Sequence, residues 1–257
     1  MHKVQVNGIE LSYRDQGEGK ALVLLHGLGS SHKDWDLLIP VLSSKFRVIA
    51  PDLRAHGSST RVPKEQSVEH MAQDVLELMD SLEIERASLV GFSMGGAVAF
   101  ELAASHGNRV EKLVIINSGP NFNSPQDSGV DLLEQRTKII EEKGFAFLAE
   151  SIARGMYPLE EQEDLREEFE ERILSNDENA YLQTFGNLMR WGLSERIERI
   201  THPTLVIASD SDYTPISYKR AYTDELKEAH LVVIENSRHG VVSDQSEKLT
   251  EELLKFL

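Results

Sequence analysis

Six short, nearly unbroken apolar runs, separated by stretches of helical period, restrict this 257-residue chain more than any other feature. The runs are Ala21 to Leu25, Phe46 to Ala50, Ala87 to Val90, Leu113 to Ile116, Thr204 to Ala208 and Leu231 to Ile234. A strand wet on one face alternates apolar with polar, so continuous runs of this length belong to strands buried on both faces of a parallel sheet. The intervening stretches His32 to Leu42, Ser67 to Leu82, Met94 to Ser105 and Gln245 to Leu257 carry apolar residues at helical spacing. Alternation of this kind predicts an α/β fold, a mostly parallel sheet with helices on both faces. Only the start differs: Lys3 to Val6 and Ile9 to Tyr13 alternate at period two around Asn7-Gly8, which predicts a hairpin with a primed turn.

The alternation stops between Asn121 and Ile200, where only helical patterns occur. Residues 1–120 and 201–257 are therefore expected to form the two parts of the core, and 121–200 a helical cap. The cap carries 18 acidic and 9 basic residues, so over half of the net charge of −16 sits in under a third of the length. Most of that charge, as in Glu160 to Glu171, reads as solvated outer helix faces. The same segment holds 8 of the 17 aromatic residues. A small helical insertion has little interior of its own, so part of this apolar surface must lie against the sheet's edge, where pockets form. Phe122, Phe145, Phe147, Tyr157, Phe185 and Trp191 are the candidate substrate-binding residues.

Net charge and composition narrow the function classes. A charge of −16 without a Lys/Arg run disfavours nucleic acid and anionic membranes as partners. Cys is absent, which removes a disulfide framework, a thiolate nucleophile and thiolate-held zinc. Met1 is followed by a mixed stretch, His2 to Gln16, rather than by a charged segment and an apolar run, so no secretory leader is expected and the cytoplasm is the default compartment.

The chemistry is carried by short motifs at predicted strand ends. Gly91-Phe92-Ser93-Met94-Gly95 joins a strand directly to a helix, the setting in which such a turn lifts a serine hydroxyl clear of the sheet. A hydroxyl needs a base beside it, and His239 follows the last strand, on a loop at the same sheet edge as Ser93. For an acid to orient that base, Asp212 and Asp210 both follow the preceding strand. Asp212, farther along the loop, is the preferred candidate, and Asp210 reads as a turn former. Asn117 stands at the other strand end that could supply an acid, and carries no charge. Candidate oxyanion donors are the backbone N–H groups of Met94, at a helix start, and of Leu28, in the glycine-flanked His26-Gly27-Leu28-Gly29. His26 reads as a brace for that loop, and Asp52 to Ser58 as a hydrogen-bonded turn with no chemical role.

Taken in order, His26 to Gly29, Pro51 to Ser58, Gly91 to Gly96, Asp212 with Pro215, and His239-Gly240 resemble the motifs of the α/β-hydrolase superfamily, its serine branch. The Gly-Phe-Ser-Met-Gly-Gly run resembles small bacterial carboxylesterases, some of which form peracids, and 3-oxoadipate enol-lactonases. The resemblance implies a sheet of about eight strands with the cap inserted after the sixth. Two departures stand out: Ala208 or Ser209 where family members usually carry Gly, and Gly240-Val241 where an aromatic often follows the histidine. Haloalkane dehalogenases and epoxide hydrolases use Asp at the elbow, which Ser93 argues against.

The expected activity is cleavage of small, mainly apolar esters or lactones, with Ser93, His239 and Asp212 as the catalytic set and no cofactor or metal. The cap's acidity disfavours dicarboxylates unless Arg54, Arg136, Arg154 or Arg190 lines the pocket. A carbon-carbon bond hydrolase with the same triad is the next enzyme reading, and a slow-turnover small-molecule receptor signalling through a protein partner is the reading from another class. The chain is expected to act as a monomer or homodimer.

Overall fold

The computed structural model describes residues 1–61, 65–122 and 131–257, so 123–130, near the start of the expected cap, lie outside the described residues. Eight strands form one sheet: β1 (His2–Val6), β2 (Ile9–Gln16), β3 (Ala21–Leu25), β4 (Arg47–Pro51), β5 (Ala87–Phe92), β6 (Val110–Ile116), β7 (Thr204–Ser209) and β8 (Ala229–Ile234). Their spatial order is β1-β2-β4-β3-β5-β6-β7-β8, antiparallel at β1/β2 and β2/β4 and parallel from β4 to β8. The opening hairpin pairs Val6 with Ile9, and Asn7 and Gly8 both take positive φ, the twist a two-residue primed turn requires.

Alternate strand residues enter two separate cores. Val23, Leu25, Leu89, Leu113 and Ile115 face one side of the sheet, and Leu22, Leu24, Val90, Val114 and Ile116 the other. Helices lie on both faces, α1 (Ile39–Leu42), α2 (Val68–Ser81), α3 (Met94–Ser105), α8 (Ile216–Glu225), α9 (Val241–Asp244) and α10 (Ser246–Phe256), while α4 (Leu132–Lys143), α5 (Phe145–Met156), α6 (Glu163–Leu174) and α7 (Glu178–Arg190) occupy the segment between β6 and β7 expected to form the cap and pack chiefly on one another. Ser67 caps α2 by accepting from the His70 amide, and its buried stripe is Val68, Met71, Val75, Leu78 and Met79. In α3 every residue from Met94 to Ala104 is buried, which its Ala- and Gly-rich sequence permits by allowing close approach on all sides.

Three elements depart from the sequence reading, the first being β8, an edge strand that buries only Ile234. The continuous helix expected over His32 to Leu42 is a 3₁₀ turn, His32–Trp35, followed by α1, whose second residue is Pro40. Proline fits the first turn of a helix but cannot continue one from upstream. Helix α8 carried no clear apolar period because its buried residues are Lys219, Tyr222 and Thr223.

The ends of the cap are tied together: Phe122 N–H donates to the Trp191 carbonyl at 3.0 Å, and Leu193 N–H to the Pro120 carbonyl at 2.8 Å. Glu101 of α3 anchors the exit by accepting from the Trp191 indole at 2.9 Å and from Arg196 at 2.7 Å. Strand order runs outward from β3 in opposite senses through β4 and β5, so the loops after β3 and β5 part at the carboxyl edge and leave a crevice there. Among the described residues no helix is long and apolar enough to cross a membrane.

Candidate active site

The end of β5 bends into α3 within one residue, and that residue is Ser93, held at φ 52° and ψ −116°. Positive φ on a non-glycine residue is strained, and its neighbours must accommodate it. A Cβ on Gly95 would lie 2.1 Å from the Leu25 carbonyl oxygen of β3, so strand and helix approach this closely only with glycine there. Ser93 N–H donates to the Ile116 carbonyl at 3.0 Å, which fixes the turn to β6.

The turn brings the hydroxyl to an imidazole. Ser93 Oγ lies 2.9 Å from His239 Nε2, and His239 Nδ1 lies 2.5 Å from Asp212 Oδ1. An ionised carboxylate only accepts, so Nδ1 carries the proton and Nε2 is left to accept from the serine. The Tyr213 ring stacks on the imidazole at 4.4 Å between centroids, and Phe92 packs against it at 5.2 Å.

Asp212 has a second partner that the sequence reading missed. Lys219 Nζ donates to Asp212 Oδ2 at 2.5 Å, to Thr214 Oγ1 at 2.7 Å and to the Thr214 carbonyl at 2.8 Å, so all three of its protons are used. Both side chains are shielded from water, the lysine at 0% and the aspartate at 1% exposure. Burial alone would raise the Asp212 carboxyl, but His239 and Lys219 overcome it and hold it at about 2. The available signal was the helical spacing of Lys219, Tyr222 and Thr223, which puts the lysine on the same stripe as an apolar ring.

Asp210 is used differently: its carboxylate accepts from the Asn236 and Ser237 amides at 3.0 and 3.1 Å and so ties β7 to the loop that carries His239. Asn117 is a further strut. Its amide donates to Ser209 Oγ at 2.7 Å and to the His239 carbonyl at 3.0 Å, and its oxygen accepts the Ser209 N–H at 2.8 Å. Ser209 is thus a hydrogen-bonding partner of that strut.

The loop after β3 is held from beneath. His26, fully buried, donates from Nδ1 to the Gly27 carbonyl at 2.7 Å and accepts the Leu53 N–H at Nε2 at 2.9 Å. Gly27 N–H is committed to Asp34 at 3.0 Å, and Arg172 of α6 reaches the same carboxylate at 2.9 Å, linking cap to loop. Leu28 and Gly27 line the cavity beside Ser93. Met94 is the first residue of α3, where a backbone N–H has no intrahelical acceptor. In the Asp52 to Ser58 turn, Asp52 accepts from the His32 and Ser58 amides, both at 2.9 Å.

These groups border a cavity of about 690 Å³ between core and cap. Of the aromatic residues expected to bind substrate, Phe122 and Phe185 line it; Phe145, Phe147, Tyr157 and Trp191 do not. A helix turns only one face to the cavity, and a count of aromatics does not say which. Phe145 packs on Tyr181, Phe147 is 40% exposed, and Trp191 is turned to Glu101. The buried Tyr157 occupies the space a side chain at 240 would need: a Cβ on Gly240 would lie 2.4 Å from its ring, which accounts for the second departure from the family pattern. The walls are instead Leu132, Ile152, Met156, Phe169 and Tyr181 from the cap, with Tyr213 and Tyr218 from the core. Among the described residues no group of three or more His, Cys, Asp or Glu could hold a metal ion.

Comparison with known proteins agrees with this architecture. A putative carbamate hydrolase, RutD, of Stutzerimonas stutzeri is 27% identical over 96% of this chain and 95% of its own. The enol-lactonase of Burkholderia xenovorans LB400 superposes with a TM-score of 0.91 at 26% identity, covering 99% of both chains. A thermophilic esterase of Thermogutta terrifontis, solved with malate bound, gives 0.89 at 26% identity over 99% of this chain and 97% of that one. A family model described as the alpha/beta hydrolase fold matches residues 20–245, and the chain belongs to that family.

Proposed function

We propose that the protein is a carboxylic ester hydrolase that cleaves small esters or lactones through an acyl-enzyme on Ser93. The observation that carries this reading is the unbroken series Ser93 Oγ, His239, Asp212 at 2.9 and 2.5 Å on the wall of a largely apolar cavity. His239 takes the serine proton as Oγ attacks the carbonyl carbon, and Asp212 keeps the imidazole in the tautomer that can accept it. The tetrahedral oxyanion is met by the amides of Leu28 and Met94, the second reinforced by the positive end of α3. His239 then protonates the departing alkoxide. Water, deprotonated by the same base, attacks the acyl-enzyme, and collapse of the second tetrahedral adduct returns the proton to Ser93. Lys219 and Asn117 are positioning residues, one acting on the carboxylate and the other on the backbone of the His239 loop.

Steady-state hydrolysis of a p-nitrophenyl acyl series tests this. Multiple turnovers that vanish in Ser93→Ala are expected, with a loss of about 10⁴-fold in Asp212→Asn if the residue orients the base as in other serine triads. A protein that stops after a single turnover would instead act as a ligand receptor, and one whose turnover survives Ser93→Ala would use another nucleophile.

A further inference from the structure

We propose that Arg136 is the carboxylate-binding residue of the cavity, so that the preferred substrate is an ester or lactone carrying an anionic group away from the reacting carbonyl. The proposal rests on the ester-hydrolase reading of the same cavity. Arg136 comes from the second turn of α4 and is the only Lys or Arg among the described residues lining the cavity. Of the other arginines considered, Arg54 is buried against Asp74, with its Nε 2.6 Å from Oδ2, Arg154 pairs with Glu150 at 2.9 Å on the cap's surface, and Arg190 does not line the cavity.

What Arg136 touches is as informative as where it stands. In a chain with a net charge of −16, it forms no ion pair among the described residues. Its guanidinium lies 3.8 Å from the centre of the Phe185 ring and donates one N–H to the Tyr181 hydroxyl at 2.5 Å. Two aromatic residues therefore hold the plane and one corner, and an arginine has five N–H donors in all. A guanidinium fixed by stacking keeps its edge ready for a planar carboxylate, which it can bind through paired hydrogen bonds. Among the described residues that line the cavity, the acidity of the cap, expected from the sequence to repel such a group, contributes nothing: the one carboxylate there is Asp212, already engaged by Lys219 and His239.

Mono-p-nitrophenyl adipate and p-nitrophenyl hexanoate have acyl chains of equal length and differ in the terminal carboxylate, so they are the test pair. The wild type should favour the adipate ester in kcat/KM. The ratio of the two should fall about 10- to 100-fold in Arg136→Met, the range of a charge-assisted hydrogen bond, and recover in part in Arg136→Lys. A ratio that does not move between wild type and Arg136→Met overturns the proposal, and so does a wild type that favours hexanoate. Calorimetry on the Ser93→Ala protein separates binding from hydrolysis and needs no change at 136: monoethyl adipate should bind more tightly than ethyl hexanoate, and equal binding overturns the proposal even where Arg136→Met fails to fold. Preferential binding without turnover of any ester in the wild type would sink the hydrolase reading and leave Arg136 standing. Turnover without any charge preference would do the reverse.

Discussion

Replacing Lys219 by Met keeps the length of the side chain and removes its charge, which leaves a carboxylate at 1% exposure without the ammonium now 2.5 Å away. Breaking a buried ion pair by deleting one partner typically costs about 3–5 kcal/mol, because the other charge stays buried and uncompensated. At roughly 2–4 °C per kcal/mol for a domain of this size, Tm should fall by about 6–20 °C. The pH dependence has a definite sign. Burial alone would raise the Asp212 carboxyl, and His239 and Lys219 hold it at about 2, below its ordinary 3.8. The ionised form therefore contributes its full stability above that ordinary value and loses it as pH falls through about 2. Without Lys219 the carboxyl rises, so acid unfolding should begin at higher pH than in the wild type. A shift of the carboxylate by even an ångström should also cost about 10²-fold in turnover. Calorimetry across pH, paired with p-nitrophenyl ester kinetics, measures all three. The double change Asp212→Asn with Lys219→Met should be more stable than Lys219→Met alone, since no unpaired charge remains. A Lys219→Met protein with wild-type Tm and wild-type turnover would refute the role given to this lysine.

Other perturbations have equally definite outcomes. Burial drives His26 and His56 down from 6.5 to about 4 and about 3, so both are folded as neutral rings; stability should be complete above about pH 6.5 and decline as pH falls through 4. At ~1.4 kcal/mol for each tenfold change in proton affinity, His26 alone accounts for about 3 kcal/mol, and a Tm that stays level from pH 7 to pH 4 would contradict it. Gly95→Ala forces a methyl to 2.1 Å from the Leu25 carbonyl, so a loss of at least ~2 kcal/mol in chemical denaturation and of most esterase turnover is expected. Gly240→Ala should be destabilised by the clash at 2.4 Å with Tyr157, and Tyr157→Ala should relieve it; additive losses in the double variant would show that the two sites do not compete for space.

The parts of this molecule that could be read from the sequence are those set by local pattern. The two-faced burial of β3 to β7 follows from their unbroken apolar runs, whereas β8, whose run looks the same, lies at the sheet's edge and buries only Ile234; the elbow at Ser93 follows from glycines two residues either side of a serine between a strand and a helix. What escaped reading depends on where side chains converge. A lysine in a polar helix reads as solvated surface; its spacing with Tyr222 and Thr223 marks a shared stripe, but not that Asp212 and Thr214 meet Lys219 there in a dry pocket. Arg136 looked no different from Arg154, yet one faces the cavity and the other water, because α4 and α5 turn different faces inward. For the same reason a count of aromatic residues does not separate wall from anchor: Trp191 and Tyr157 pack against the core, whereas Phe169 and Tyr181 line the cavity. In the sequence Asn117 reads only as an uncharged residue at a strand end; its use as a strut between β6, β7 and the His239 loop depends on their register.

The most direct test is the site of covalent capture by a fluorophosphonate, which reacts with a serine only where a neighbouring base activates it. Peptide mass spectrometry should find a single adduct on Ser93 in the wild type, little or none in His239→Ala, and none in Ser93→Ala. An adduct elsewhere in the chain, or one on Ser93 that forms as fast without His239, would contradict an activated serine at this elbow.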